Sequence, residues 1–275
     1  MSDSADITYT VQDKIVVISL QIPTKLNALT HDQYIQLGKY LEQSNEEEDT
    51  IATVIQSSGR YFSAGANFGE IGKGQDSSKL FTHEYWLDRF VARNVWLTNV
   101  FNDHKKILIA AINGPVIGLS SALVLLCDLI YVNDLSKFYL LAPFANLGLV
   151  AEGSSSATLF ARLGWSKSSE ALLLAKPING QDCFNAGFIT KHYNGRFGTN
   201  VDEFNKTVVS EIQEAVKDLH DDSILQNKQL LKLNRDQLIN AANSQEAQRG
   251  LYKWLQGVPQ AKFAQLATKE KKHKL

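Results

Sequence analysis

Glu152 is the residue of this sequence best placed to move a proton. It follows Leu149-Val150-Ala151 and precedes Gly153-Ser154-Ser155-Ser156, so an acid stands where an apolar run ends and a helix of small residues begins. Burial at such a junction raises a carboxyl pKa and makes the carboxylate a stronger proton acceptor. A plain acid favoured by the dipole of a helix start would occupy the same place, and the segment alone leaves both readings open. Two further stretches, Ser63-Ala64-Gly65-Ala66-Asn67 and Gly114-Pro115-Val116-Ile117-Gly118-Leu119-Ser120-Ser121, crowd small residues where an apolar strand ends. Such loops let the backbone approach a ligand and leave main-chain N–H groups free to point at it, although each alone could be an ordinary glycine loop. Two sets of donors and one carboxylate suit chemistry at the carbon beside a carbonyl: the donors hold an oxyanion and the acid takes the proton. No nucleophile with a base partner, no GxxxxGK[ST] loop and no metal-ligand cluster accompanies them. Cys127 and Cys183 lack a CxxC partner or ligand spacing and read as reduced, structural residues.

The elements that must position these residues follow from periodicity. Residues 7–22 alternate as two strands joined at Gln12-Asp13-Lys14, and Pro23 stops the sheet. Thr30 is a good N-cap for a helix over 31–44 with Tyr34, Leu37, Gly38 and Leu41 on one face. Strands are expected at 51–56, 105–113, 129–132 and 137–141, and helices at 83–101 and 119–127. The acidic run Glu46-Glu47-Glu48-Asp49 reads as a surface turn, and residues 72–83 as a mobile surface loop. Beyond Leu163 the chain turns helical, over 167–175, 179–187, 201–219, 223–233 and 244–267. Strands and helices interleave first and helices follow alone, which predicts an α/β core over residues 1–200 and a helical C-terminal subdomain over 201–275. The return of strand, strand, helix hints at a coil of similar turns.

At 275 residues, 44% hydrophobic and 21% charged, the chain is large enough for a sizeable core. A net charge of -1 gives no electrostatic reason to bind nucleic acid, so a small-molecule partner is expected. No membrane span is expected, and the first ten residues lack the pattern of a secretion signal, so the reading is a soluble, non-secreted protein.

Pro23-xxx-Asn27-Ala28-Leu29, Phe62-Ser63-Ala64-Gly65-Ala66-Asn67-Phe68, Asn113-Gly114-Pro115-Val116-Ile117-Gly118 and Cys127-Asp128, in this order and spacing, resemble the crotonase, or enoyl-CoA hydratase/isomerase, superfamily. The resemblance spans about residues 10–190. Within the family, the stretch 144–153 and the ending His273-Lys274-Leu275 look most like the fungal peroxisomal 3,2-trans-enoyl-CoA isomerases. It implies a crotonase-like spiral of ββα turns with helices used for trimerisation, a homotrimer or dimer of trimers, and an acyl-CoA substrate whose CoA is the sole coenzyme. By the same resemblance Glu152 is the base and the N–H groups of Ala66 and Leu119 form the oxyanion hole. Lys25, Leu26, Asn27 and Ala28, with Ala64, Gly65 and Gly118, would lie along the substrate. Family hydratases carry acids at the positions of Ala122 and Phe144 here, so hydration and dienoyl isomerisation are disfavoured. Asn67 replaces the usual Asp and is expected to shape its loop.

Asn94 falls on a helix expected to cross the acyl pocket, with a core-edge role as the plainer reading. Phe263, beside Lys262, falls where the family brings its last helix toward CoA, a packing helix being the alternative. His273-Lys274-Leu275 resembles the peroxisomal S-K-L address and implies an import receptor as partner and the peroxisome as location. A hydratase or hydrolase of acyl-CoA, or a non-catalytic acyl-CoA-binding subunit, are the competing readings.

Overall fold

Residues 7–20 form the expected hairpin, β1 (Ile7–Gln12) antiparallel to β2 (Ile15–Leu20), with Asp13 turning the chain at φ 51°. This is a computed structural model of the protein, and it describes residues 6–67, 69 and 77–267. The chain continues through β3 (Ala52–Ser57), β4 (Ile107–Ile112), β5 (Val116–Ile117), β6 (Leu129–Val132), β7 (Tyr139–Leu141), β8 (Ile178–Asn179) and β9 (Lys191–His192). One sheet has the order β1-β2-β3-β4-β6-β9, parallel from β2 onward; the other has the order β5-β7-β8. Single parallel bridges, Leu29 to Ala66 and Ser63 to Val116, continue the smaller layer. After each of β2, β3, β4 and β6 the chain therefore crosses to the second layer before returning, which is the expected spiral.

The helices are α1 (His31–Glu46), α2 (His83–Trp86), α3 (Arg93–Asn102), α4 (Leu119–Val124), α5 (Ser155–Leu174), α6 (Gly180–Asn185), α7 (Val201–Val216), α8 (Asp221–Lys232), α9 (Asp236–Leu255) and α10 (Val258–Ala267). Thr30 caps α1 in a reciprocal capping box with Gln33. The helix expected over 83–101 exists as α2 and α3, but Leu87–Ala92 between them are π-helical. The single helix expected over 244–267 starts earlier and is two helices, broken at Gly257, whose φ is 74°. Gly164 kinks α5.

The larger sheet is buried on both faces, which is why β4 reads as the unbroken apolar run Ile-Leu-Ile-Ala-Ala-Ile. Val16, Ile18, Leu108 and Ala110 face the core that includes Tyr34, Leu97 and Phe101, while Val17, Val54, Ile109 and Ala111 face Phe204, Val208 and Ile212 of α7. Ile239 and Trp254 of α9 belong to the first core. The boundary near residue 200 is thus a change in secondary structure and not in packing. Cys127 and Cys183 are buried and unpaired. No helix among the described residues is long and apolar enough to cross a membrane. Residues 268–275, with the tripeptide His273-Lys274-Leu275, lie outside the described residues, as do Phe68 and residues 70–76.

Candidate active site

Two loops from different turns of the spiral meet at their glycines. Ile117 N–H donates to Ser63 O at 3.0 Å, and the backbones come so close that a β-carbon on Gly65 would stand 2.7 Å from Ile117 O. Gly65 and Gly118 both have positive φ, 86° and 62°, and these turns aim the following N–H groups. Leu119 is the first residue of α4, where no helical carbonyl can reach its N–H. Neither the Leu119 nor the Ala66 N–H has an acceptor among the described residues. Both residues line a cavity of about 320 Å³ that also takes in Leu26, Ala28, Phe144 and Glu152. Glu152 is the one acid lining it among the described residues.

Ser63 braces this junction from beneath. Its Oγ lies 2.8 Å from Asn27 O and 2.8 Å from Ser120 Oγ, and Ser120 in turn meets the Tyr34 hydroxyl at 3.0 Å. Asn27 stands outside the cavity: its amide is spent on Ile22 N–H, Ser58 O and Tyr61 O, which hold the shape of the loop. Lys25 is exposed, while Leu26, Ala28, Ala64, Ala66, Asn67 and Gly118 reach the cavity wall. Gly65 contributes its close approach and not a wall.

Glu152 is 9% exposed and sits three residues before α5, followed by two left-handed residues, Gly153 (φ 67°) and Ser154 (φ 59°). Burial raises its pKa above the ordinary carboxylate value, against the opposing pull of the Arg93 charge and the Asn94 hydrogen bond. Asn94, 2% exposed, donates from Nδ2 to Glu152 Oε2 at 2.8 Å. The core-edge role expected for it gives way to direct contact with the acid, because α3 turns its first residues inward. Arg93 Nε and Nη2 donate to Asn94 Oδ1 at 2.9 and 2.7 Å, and the guanidinium lies 5.5 Å from the Tyr34 ring centroid. Asn94 thus stands between Glu152 and a cation, its amide oriented by both. The π-helical Leu87–Ala92 end where Arg93 begins, and such insertions recur at functional sites.

Sequence reasoning missed Arg93 and Tyr34 as parts of the site; the adjacency of Arg93 to Asn94 was the one available signal. Ala122, at one of the two positions where family hydratases carry an acid, is a fully buried methyl. Phe144 fills the other. Phe263 does not line the cavity; its ring lies 5.8 Å from Trp254, which stacks on Trp86 at 3.9 Å. Among the described residues no three His, Cys, Asp or Glu side chains gather as a metal site.

A family model described as enoyl-CoA hydratase/isomerase matches residues 10–263. The 3,2-trans-enoyl-CoA isomerase of Saccharomyces cerevisiae is 43% identical over 273 residues, 98% of this chain and 96% of that protein. The Delta(3,5)-Delta(2,4)-dienoyl-CoA isomerase of the same yeast is 34% identical over 275 residues, 99% of this chain and 100% of that protein. The crystal structure of an enoyl-CoA hydratase/isomerase from Mycobacterium paratuberculosis superposes with a TM-score of 0.83 at 18% identity, covering 96% of this chain and 100% of that one. This last likeness is one of fold.

Proposed function

The chain belongs to the enoyl-CoA hydratase/isomerase family, and from that membership we propose that it moves the double bond of a 3-enoyl-CoA, cis or trans, to the trans-2 position in the β-oxidation of unsaturated fatty acids. The observation that carries the reading is the buried Glu152 sharing one cavity with the N–H groups of Ala66 and Leu119, which have no acceptor among the described residues. The Glu152 carboxylate takes a proton from C2, and the electrons of that C–H bond spread to C4 and to the thioester oxygen. The two N–H groups hold the oxyanion, and protonated Glu152 returns the proton to C4. Proton transfer within one molecule needs no electron carrier, so the CoA of the substrate is the sole coenzyme. Leu26, Ala28 and Ala64 receive the thioester end, and Phe144, Leu147 and Leu149 wall the acyl chain.

Hydration and the dienoyl shift are disfavoured, because Ala122 and Phe144 leave Glu152 without a second acid. The exposed apolar side chains Phe160, Trp165 and Leu173 on α5 and Leu231 on α8 support assembly as a homotrimer or dimer of trimers. The tripeptide His273-Lys274-Leu275 supports recognition by the peroxisomal import receptor and residence in the peroxisome.

The test is absorbance at the conjugated thioester band with 3-hexenoyl-CoA, on wild type and Glu152→Gln. Conjugation by wild type and a loss of about a hundredfold or more in the variant are expected. Near-normal turnover by Glu152→Gln, or faster water addition to crotonyl-CoA than isomerisation by wild type, overturns the reading.

A further inference from the structure

Glu246, on α9, is 5% exposed and reaches across ninety positions of sequence to the start of α5. Its Oε1 accepts both from the Ser156 N–H, at 2.8 Å, and from the Ser156 hydroxyl. Two residues earlier, Ser154 Oγ donates to Ile239 O at 2.9 Å, so α9 grips this short segment twice. Between the grip and Glu152 stand Gly153 and Ser154, consecutive left-handed residues. A serine in that conformation is held there only by its surroundings. The same helix also holds α3: Asn243 Nδ2 donates to Val95 O at 3.1 Å and to Asn99 Oδ1 at 2.9 Å. One helix therefore fixes both the segment that carries Glu152 and the helix that carries Asn94.

We infer that Glu246 is a positioning residue for Glu152, holding through Ser156 the left-handed pair that aims the reacting carboxylate. The inference rests on the isomerase reading above and extends it to a residue outside the cavity. Oε1 takes both Ser156 bonds, while Oε2 has no hydrogen-bond partner among the described residues. Burial holds the Glu246 pKa at about 7, against the Ser156 and Ser154 hydrogen bonds, with the Glu152 charge adding to the rise. Arg93 of α3, Asp88 and Arg89 of the π-helical stretch, Arg162 of α5 and Lys262 of α10 stand on elements around α9. None of them forms an ion pair with Glu246, which leaves Glu152 as the charge acting on it.

The test is steady-state kinetics on 3-hexenoyl-CoA for wild type, Glu246→Ala, Glu246→Gln and Ser156→Ala, from pH 5 to 9, with thermal melts of each. Glu246→Ala is expected to lose about tenfold or more in kcat with KM held within about twofold, since a misplaced base costs rate and not substrate binding. Glu246→Gln, whose amide oxygen accepts the same bonds, is expected to recover kcat relative to Glu246→Ala. Wild-type kcat in folded Glu246→Ala overturns the inference, as does a Glu246→Gln kcat no higher than that of Glu246→Ala. If Glu246→Ala does not fold, Ser156→Ala decides: a severalfold fall in kcat at constant KM is expected, and an unchanged kcat overturns the inference. Failure of wild type itself to isomerise overturns the isomerase reading instead.

Discussion

At the scale of single residues, Glu152 sets folding against chemistry. Its pKa is raised in the folded protein, mainly by desolvation, so the folded state holds this proton to higher pH than the unfolded chain does. For an acid shifted upward, stability is highest below the unfolded pKa and falls as pH rises through the folded one. Glu152→Gln removes that loss and keeps an acceptor for Asn94. Calorimetry at pH 8 is expected to show a melting temperature equal to or above wild type, with the difference closing below about pH 4. A variant less stable than wild type at pH 8 contradicts the desolvation account. Asn94 pulls the other way, since its hydrogen bond favours the charged carboxylate. Asn94→Ala should move the acid limb of the kcat profile to higher pH, with rate partly restored at alkaline pH; an unmoved limb contradicts the assigned bond. Of the candidate site, Glu152 and the two loops stood out in the sequence as an acid after an apolar run and glycines at strand ends, and it took their combination and the family resemblance to read them as a base and its donors. Tyr34 and Glu246 were not legible, because their partners lie far away in sequence, and Arg93 was not, because only its adjacency to Asn94 hinted at it.

At the scale of elements, the site depends on how closely two loops approach. Gly65→Ala would place a β-carbon 2.7 Å from Ile117 O at a φ of 86°. Strain of that kind costs about 1–3 kcal/mol, and relieving it separates Ala66 from Leu119. Kinetics and melts together are expected to show kcat falling further than the loss of folded protein explains; normal kcat in the folded variant would detach the glycine from the donors. The hairpin, β3, β4, β6, β7 and α1 were readable from alternation, a turn and a cap, while β5, β8 and β9, of two residues each, were too short to leave a pattern. The π-helical Leu87–Ala92 was not, because its residues keep an ordinary helical composition. The break at Gly257 was written in Gly257-Val258-Pro259, a turn residue followed by a helix-start proline, and the apolar pattern on both sides masked it.

At the scale of the molecule, the two faces of the larger sheet bind the whole chain together. Phe204 and Val208 of α7 cover one face, and Ile239 and Trp254 of α9 complete the other core. A chain ending at residue 200 would expose Val17, Val54 and Ile109, and it is expected to aggregate on size-exclusion chromatography; a soluble folded monomer would restore the two-unit reading. Trp254, 3% exposed and stacked on Trp86, ties α9 to α2, and Trp254→Ala should cost about 3–5 kcal/mol in a denaturant melt. The sequence announced an α/β part followed by helices, and the order of element types carried that much. It could not announce that the later helices finish the earlier core, because closure is a property of three-dimensional packing. The donor groups assigned at Ala66 and Leu119 belong to the main chain, so replacing either side chain leaves an N–H in place. The acid exists in a single copy, and one changed letter removes it. Relaxed selection would therefore first leave an intact vessel, shaped for its ligand and silent, which is how a scaffold becomes free to take up other work.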